Sequence, residues 1–176
     1  MPSQSRITAY WPDGSVKWTA HTADSKNGEI FEVIPVNEDV SSKKDMEPSL
    51  FVKEEEDAYI VDAGCVHATV PKNKNVILCD VTVDGRVQVT DADLVLQLEE
   101  RSVKDGVLIQ KTVPYTGEIE SVSIEEQGPV RVTFCLRGTH VSHANDRRVL
   151  PFVIREIIYL NSPKIDFEHT FLFDGD

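Results

Sequence analysis

Three arginines near the C-terminus set the first chemical question. Arg131, Arg137 and Arg155 sit in two runs that alternate with apolar residues. A guanidinium presents a planar fork of donors that meets a carboxylate with two hydrogen bonds. Carried on adjacent strands, these arginines could hold an acidic sugar. The plainer alternative is that they pair with the chain's many Asp and Glu residues on an exposed sheet face, where ion pairs are common and weak. His169 shares the phase of Ile165, Phe167, Phe171 and Phe173. Facing a cleft it would titrate near neutral pH and could move a proton; on an apolar face a histidine is more often a hydrogen-bonded core residue. Arg131, Arg155 and His169 are therefore the candidate binding residues.

The remaining polar residues offer less. His140 and His143 lie in a polar stretch and read as solvated, and His67, between Val66 and Ala68, has no evident partner. Asp174 and Asp176 flank Gly175. Two carboxylates fall short of the roughly six to eight oxygens that calcium takes, and a turn is the preferred reading. Cys65, Cys79 and Cys135 have no zinc-type spacing and form no disulfide framework, so they read as small buried hydrophobes. No Gly-rich phosphate loop, nucleophile elbow or His-x-x-x-His motif occurs. Neither a catalytic residue nor a metal ligand is assigned, and no cofactor is expected.

The elements that must position these side chains are strands. Ile7, Ala9 and Trp11 alternate with polar neighbours, as do Val16, Trp18 and Ala20, around Pro12-Asp13-Gly14. That is a hairpin signature: proline presets φ, aspartate bonds its own backbone and glycine takes positive φ. Trp11 and Trp18 could stack on a sugar ring, but their phase places them inward as core. Asn27-Gly28 then turns the chain into a strand over Glu29 to Val36. Asn37 to Glu56 has the composition of a linker, so the domain boundary falls there, dividing 1–50 from 51–176.

Beyond it, short β-branched runs recur at 59–61, 65–70 and 76–83, with Asp84-Gly85 as a second hairpin turn. Leu94, Leu96 and Leu98 alternate with Val95, Gln97 and Glu99; period two predicts a strand despite helical propensities. Val107 to Ile109 and Ile119 to Ile124 continue the meander. Val130 to Arg137, Val149 to Leu160 and Ile165 to Phe173 complete it, with His140 to Arg148 as a loop. No segment holds a helical period. The expected class is all-β, a small partial barrel followed by an antiparallel sandwich.

The 176 residues carry a net charge of −12 and 40% hydrophobic residues. A core is affordable, whereas the charge argues against sequence-independent nucleic-acid binding, which needs a Lys/Arg-rich face, and against docking on an anionic membrane; equally, the acid content simply keeps the chain soluble. No apolar run is long enough for a membrane-spanning helix, and the N-terminus lacks the apolar core of a signal peptide.

The hairpin stretch Gln4-Ser5-Arg6-Ile7-Thr8-Ala9-Tyr10-Trp11-Pro12-Asp13-Gly14-Ser15-Val16-Lys17-Trp18 resembles the N-terminal barrel of the exo-rhamnogalacturonan lyase family. Gly128-Pro129-Val130-Arg131-Val132, Leu150 to Arg155 and Ile165 to Asp176, with His169-Thr170-Phe171 and Asp174-Gly175-Asp176, resemble its central β-sandwich. Val36 to Ser49 matches poorly. The resemblance implies a RIFT-type barrel, a galactose-mutarotase-like sandwich and, in longer members, an α/α toroid. It implies β-elimination on rhamnogalacturonan or pectin, with the cleft between toroid and sandwich. The chain is then expected to be a fragment, inactive alone, whose partner is an acidic plant polysaccharide or oligosaccharide. A non-catalytic carbohydrate-binding or structural module is the alternative. A localisation is not set by the chain; it would be periplasmic or secreted if a full-length relative carries a leader. An open sandwich edge also invites strand pairing between copies, so a homo-oligomer is expected.

Overall fold

The computed structural model describes residues 3–24, 30 and 50–173. The strand expected over Glu29 to Val36, most of the linker, and the Asp174-Gly175-Asp176 turn lie outside the described residues, save Ile30. The described residues form strands and no helix. They are β1 (Ser3–Tyr10), β2 (Val16–Ala23), β3 (Phe51–Glu54), β4 (Ala58–Asp62), β5 (Val66–Pro71), β6 (Leu78–Val83), β7 (Arg86–Ala92), β8 (Val95–Lys104), β9 (Val107–Gln127), β10 (Arg131–Val141), β11 (Arg148–Tyr159) and β12 (Ile165–Phe171). The protein is all-β.

β1 and β2 form a two-stranded hairpin. Its turn closes as the residue types dictate: Gly14 adopts φ +84°, and Asp13 Oδ1 accepts from the Ser15 N–H at 2.9 Å. Two five-stranded antiparallel sheets follow, in the orders β3-β4-β5-β6-β7 and β12-β11-β10-β9-β8. At the β6–β7 turn Asp84 and Gly85 both take positive φ, 49° and 73°, which matches the twist of the flanking strands.

The two sheets enclose one core. Val61, Val66 and Val70 of the first meet Val132, Phe134, Leu136, Ile154 and Ile158 of the second. Complete burial of each such side chain stabilises by roughly 1.5–3 kcal/mol. The sheets are also tied through backbone, the Asn161 N–H donating to the Ala63 carbonyl at 2.8 Å. Gly64 (φ +83°) sits under that crossing, where a Cβ would fall 2.5 Å from Asn161 Oδ1.

β9 corrects a sequence expectation. Val107 to Ile109 and Ile119 to Ile124 belong to a single 21-residue strand. Its first half, Val107 to Thr116, pairs with β8, and its second, Thr116 to Gln127, with β10. Pro114, which cannot donate, falls in the half with one strand neighbour. A smaller cluster of Val113, Tyr115, Val149 and Leu150, with Leu96 and Leu98, supports this arm.

The tryptophans are a second correction. Trp11 and Trp18 are 50% and 62% exposed, not core. The hairpin register shifts between Ile7 and Ala9 and between Ala9 and Tyr10, so simple alternation does not carry through to the tryptophans. A two-stranded sheet also buries a face only against another layer, and among the described residues the hairpin meets the sandwich near its open end. There Gln4 Nε2 donates to Glu126 at 2.7 Å, and Gln4 Oε1 accepts from the Val130 and Arg131 N–H groups at 3.1 and 2.9 Å. Gly128 admits this contact, since a Cβ there would lie 2.5 Å from Gln4 Oε1.

Candidate functional site

The β8–β12 sheet has an inner face toward the core and an outer face away from it. On β10, Val132, Phe134 and Leu136 point in, and Arg131, Thr133, Cys135 and Arg137 point out. Strand register then builds the outer face row by row. Ser121, Arg137, Val153 and Thr170 are Cα partners across β9 to β12, and Ser123, Cys135, Arg155 and Glu168 form the next row. Rows on one face lie about 7 Å apart along a strand.

The arginines on this face differ in how they are committed. Arg155 grips Glu125 with two hydrogen bonds, 2.6 Å from Nε and 2.9 Å from the terminal nitrogen. These bonds hold the Glu125 carboxyl below the usual carboxylate range and raise the Arg155 guanidinium. Arg131 bonds Glu126 at 2.8 Å, with both side chains only 12% exposed. Burial pulls Glu126 upward, yet hydrogen bonds from Gln4 and Arg131 leave it below its ordinary value. Arg6 of the hairpin approaches the same carboxylate at 3.3 Å. Arg137 has no carboxylate at ion-pair distance among the described residues, and it is exposed.

Two clefts flank these rows. One, of about 510 Å³, lies between hairpin and sheet and is lined by Arg6, Ile7, Thr8, Glu125, Glu126, Arg155 and Glu168. The other, of about 350 Å³, is lined by polar Glu120, Arg137, Thr139 and Thr170 and by apolar Pro151, Phe152, Val153, Phe171 and Leu172, with Gly138. Trp18 is two residues along β2 from Ala20, the register partner of Arg6, so it shares the hairpin face that carries Arg6.

The candidate trio is thus divided. Arg131 and Arg155 share the outer face, but Arg131 is four residues along β10 from Cys135, the partner of Arg155, a spacing of about 13 Å. His169 pairs with Ile154 and lies on the inner face. Its ring stands 6.2 Å from His140, 6.0 Å from Phe152 and 5.6 Å from Phe171. Desolvation by this cluster, then the nearby His140, lowers its pKa, although the residue as a whole is exposed.

His140 is not a solvated loop residue. It lies on β10, 2% exposed, its Nδ1–H donating to the Leu150 carbonyl at 2.8 Å. The strand runs four residues further than its polar sequence suggested, to Val141. His143 does lie beyond it, exposed and bonded to Thr116 at 2.7 Å. His67 has a partner after all: it is the cross-strand neighbour of Asp62, at 3.6 Å. Cys79 and Cys135 are buried and Cys65 is half-buried, all as free thiols.

The sequence also concealed Glu156. It is fully buried, and neither carboxyl oxygen has a hydrogen-bond partner among the described residues. Its Cα partners are Phe134 and Phe167. Desolvation pushes its pKa up to about 8. The signal was available: Glu156 has the parity of Phe152, Ile154 and Ile158, the inward phase of β11. Among the described residues no group of three or more His, Cys, Asp or Glu side chains is arranged around a common point as a metal site.

An all-β chain with a hairpin docked on an antiparallel sandwich now has a family. Residues 50–176 match the PcRGLX-like protein central beta sandwich domain, and residues 1–36 match the PcRGLX-like N-terminal RIFT barrel domain. The chain belongs to the PcRGLX-like family, the rhamnogalacturonan lyase-like group to which the sequence motifs pointed. It is similar to the uncharacterized protein YetA of Bacillus subtilis (strain 168), with 32% identity over 174 residues. That alignment covers 97% of this chain and 20% of the relative, so the chain spans about a fifth of the protein it matches.

Proposed function

We propose that this chain is the β-rich, substrate-holding portion of a polysaccharide lyase-like protein that acts on rhamnogalacturonan or pectin by β-elimination, and that it does not cut sugar alone. The observation that carries this reading is the ordered pair of family matches, barrel then sandwich. In such a reaction a base removes the proton α to the galacturonate carboxylate, a cation or guanidinium neutralises that carboxylate, and the glycosidic C–O bond breaks to leave an unsaturated product. The chain's guanidiniums suit the second task.

The test is direct. Incubated with rhamnogalacturonan, the chain alone is expected to give no ultraviolet-absorbing unsaturated product. Titrated with acidic rhamnogalacturonan oligosaccharides, it is expected to show a saturable change in tryptophan fluorescence, since Trp11 and Trp18 are exposed. Product from the chain alone would overturn the non-catalytic assignment. A flat titration to millimolar sugar would overturn the substrate-holding role and favour a purely structural module.

A further inference from the structure

We infer that Arg137 is the uronate-recognising residue of this chain, and that the outer face of the β8–β12 sheet is the platform on which an acidic oligosaccharide lies. The inference rests on the carbohydrate reading above and assigns it a place and a residue.

Four observations lead there. First, the net charge is −12, and most arginines of the described residues have a carboxylate at ion-pair distance. Arg86 and Arg137 do not. Arg86 stands at the β6–β7 turn, whereas Arg137 lies on a sheet face and lines a cleft of about 350 Å³. Second, Arg137 is charged and exposed close to Glu125, whose carboxyl it helps to lower, yet Arg155 occupies that carboxylate with both hydrogen bonds. The Arg137 fork stays uncommitted among the described residues: Glu125 is held by Arg155, and Glu120, which lines the same cleft, is bonded by Arg148.

Third, the row through Arg137 ends on either side in the exposed hydroxyls of Ser121 and Thr170. A guanidinium between hydroxyls matches a sugar ring that carries one carboxylate and several hydroxyl groups. Fourth, the next row presents Arg155, neutralised by Glu125, together with Glu168, a set with no positive charge to spare. A neutral sugar unit beside the uronate can bond these without a net charge cost. The hairpin closes that end of the platform, and Trp18 on its Arg6-bearing face is free to stack.

Arg131 cannot play the same part, being bonded to Glu126 and only 12% exposed. His169 cannot join Arg137 either, because it lies on the opposite face of the sheet. An acidic ligand at Arg137 gains a charge-assisted, two-pronged pair without breaking an existing one. Surrounding glutamates set the specificity: they repel a densely charged chain such as a nucleic acid and tolerate an isolated carboxylate.

The experiment measures binding of the intact chain to an acidic rhamnogalacturonan oligosaccharide and to the same oligosaccharide with its carboxyl groups reduced to alcohols. Arg137→Ala is expected to weaken binding of the acidic sugar about 10- to 100-fold, the range of a hydrogen-bonded charge pair, and to leave the reduced sugar unaffected. Arg137→Lys should recover part of the affinity, since a point charge replaces a fork. Arg86→Ala removes the same charge elsewhere and should change nothing. Equal binding by wild type and Arg137→Ala would overturn the inference and leave the carbohydrate reading standing. So would a wild type that binds both sugars equally. Binding of neither sugar by wild type would overturn the reading itself, and the inference with it.

Discussion

Arg155 and Glu156 are neighbours on β11 that point to opposite faces of one sheet, and the two faces treat charge in opposite ways. Outside, Arg155 and Glu125 neutralise each other with two hydrogen bonds at the water's edge. Inside, Glu156 is fully buried between aromatic partners, with no bond to either oxygen. The outer carboxylate is held below its usual range and the inner one is pushed up to about 8. A sheet can keep charge cheaply on the face that water reaches, where each pair is worth little and one member can be spared for a ligand. On the dry face the same chemistry raises the energy of the fold. Stability is therefore written on the inner side of these strands, and the recognition proposed above would be written on the outer.

This contrast can be broken at several points. Phe134→Ala, at the centre of the inner face, should lower stability by about 3–5 kcal/mol in urea unfolding, through lost burial and the cavity left behind. A smaller loss would mean the two sheets are not packed as one core. Glu156→Leu should act the other way and stabilise by about 1–4 kcal/mol, because an apolar side chain replaces an unpaired buried acid.

The pH dependence carries its own sign. The folded-state pKa of Glu156 lies above the unfolded value of 4.5, so the folded chain keeps the proton longer. Its contribution to stability is fully present below the unfolded value and is lost as pH rises through about 8. Wild type should thus weaken between pH 5 and 9, as measured by urea midpoints, and Glu156→Leu should flatten that slope. A stability that rises over this window would contradict the buried, unpaired state.

On the outer face the effects shrink. Glu125→Ala should cost less than about 1 kcal/mol, because the pair is half-exposed and screened. It should, however, free Arg155 and raise affinity for acidic sugar modestly. Smallest, and at the sheet's edge, is self-association. β12 ends the sheet with Phe167 and Phe171 about half exposed, at 48% and 53%. A weak oligomer through such edges is expected by light scattering, and Phe171→Lys should shift it to monomer. A monomer in wild type at high concentration would remove this expectation.

Much of the fold was legible in the sequence because its signals are local. Asp13-Gly14 and Asp84-Gly85 sit where only certain residues tolerate the backbone, and alternation assigned the faces of β10 and β12 correctly. Asp105-Gly106, with φ of 53° and 79°, is a further turn of the same kind, between β8 and β9. What escaped depends on contacts distant in sequence. Alternation predicts a face for each tryptophan, but neither the register shifts beside them nor the lack of a covering layer among the described residues shows in it. His140 lies among polar residues in the chain but under Phe152 in space, with ring centroids 5.0 Å apart. Arg131, Arg137 and Arg155 look alike in sequence; only the positions of Glu125 and Glu126 show which two are occupied and which is spare.

The central claim is that recognition belongs to the outer face and the inner face is reserved for stability. Backbone and side-chain NMR shifts during titration with an acidic rhamnogalacturonan oligosaccharide test it most directly. The account predicts changes gathered on Ser121, Arg137, Arg155 and Thr170, with Trp18 responding and His140, Ile154 and His169 still. Changes centred on His140 and His169 would place the ligand on the inner face and contradict it.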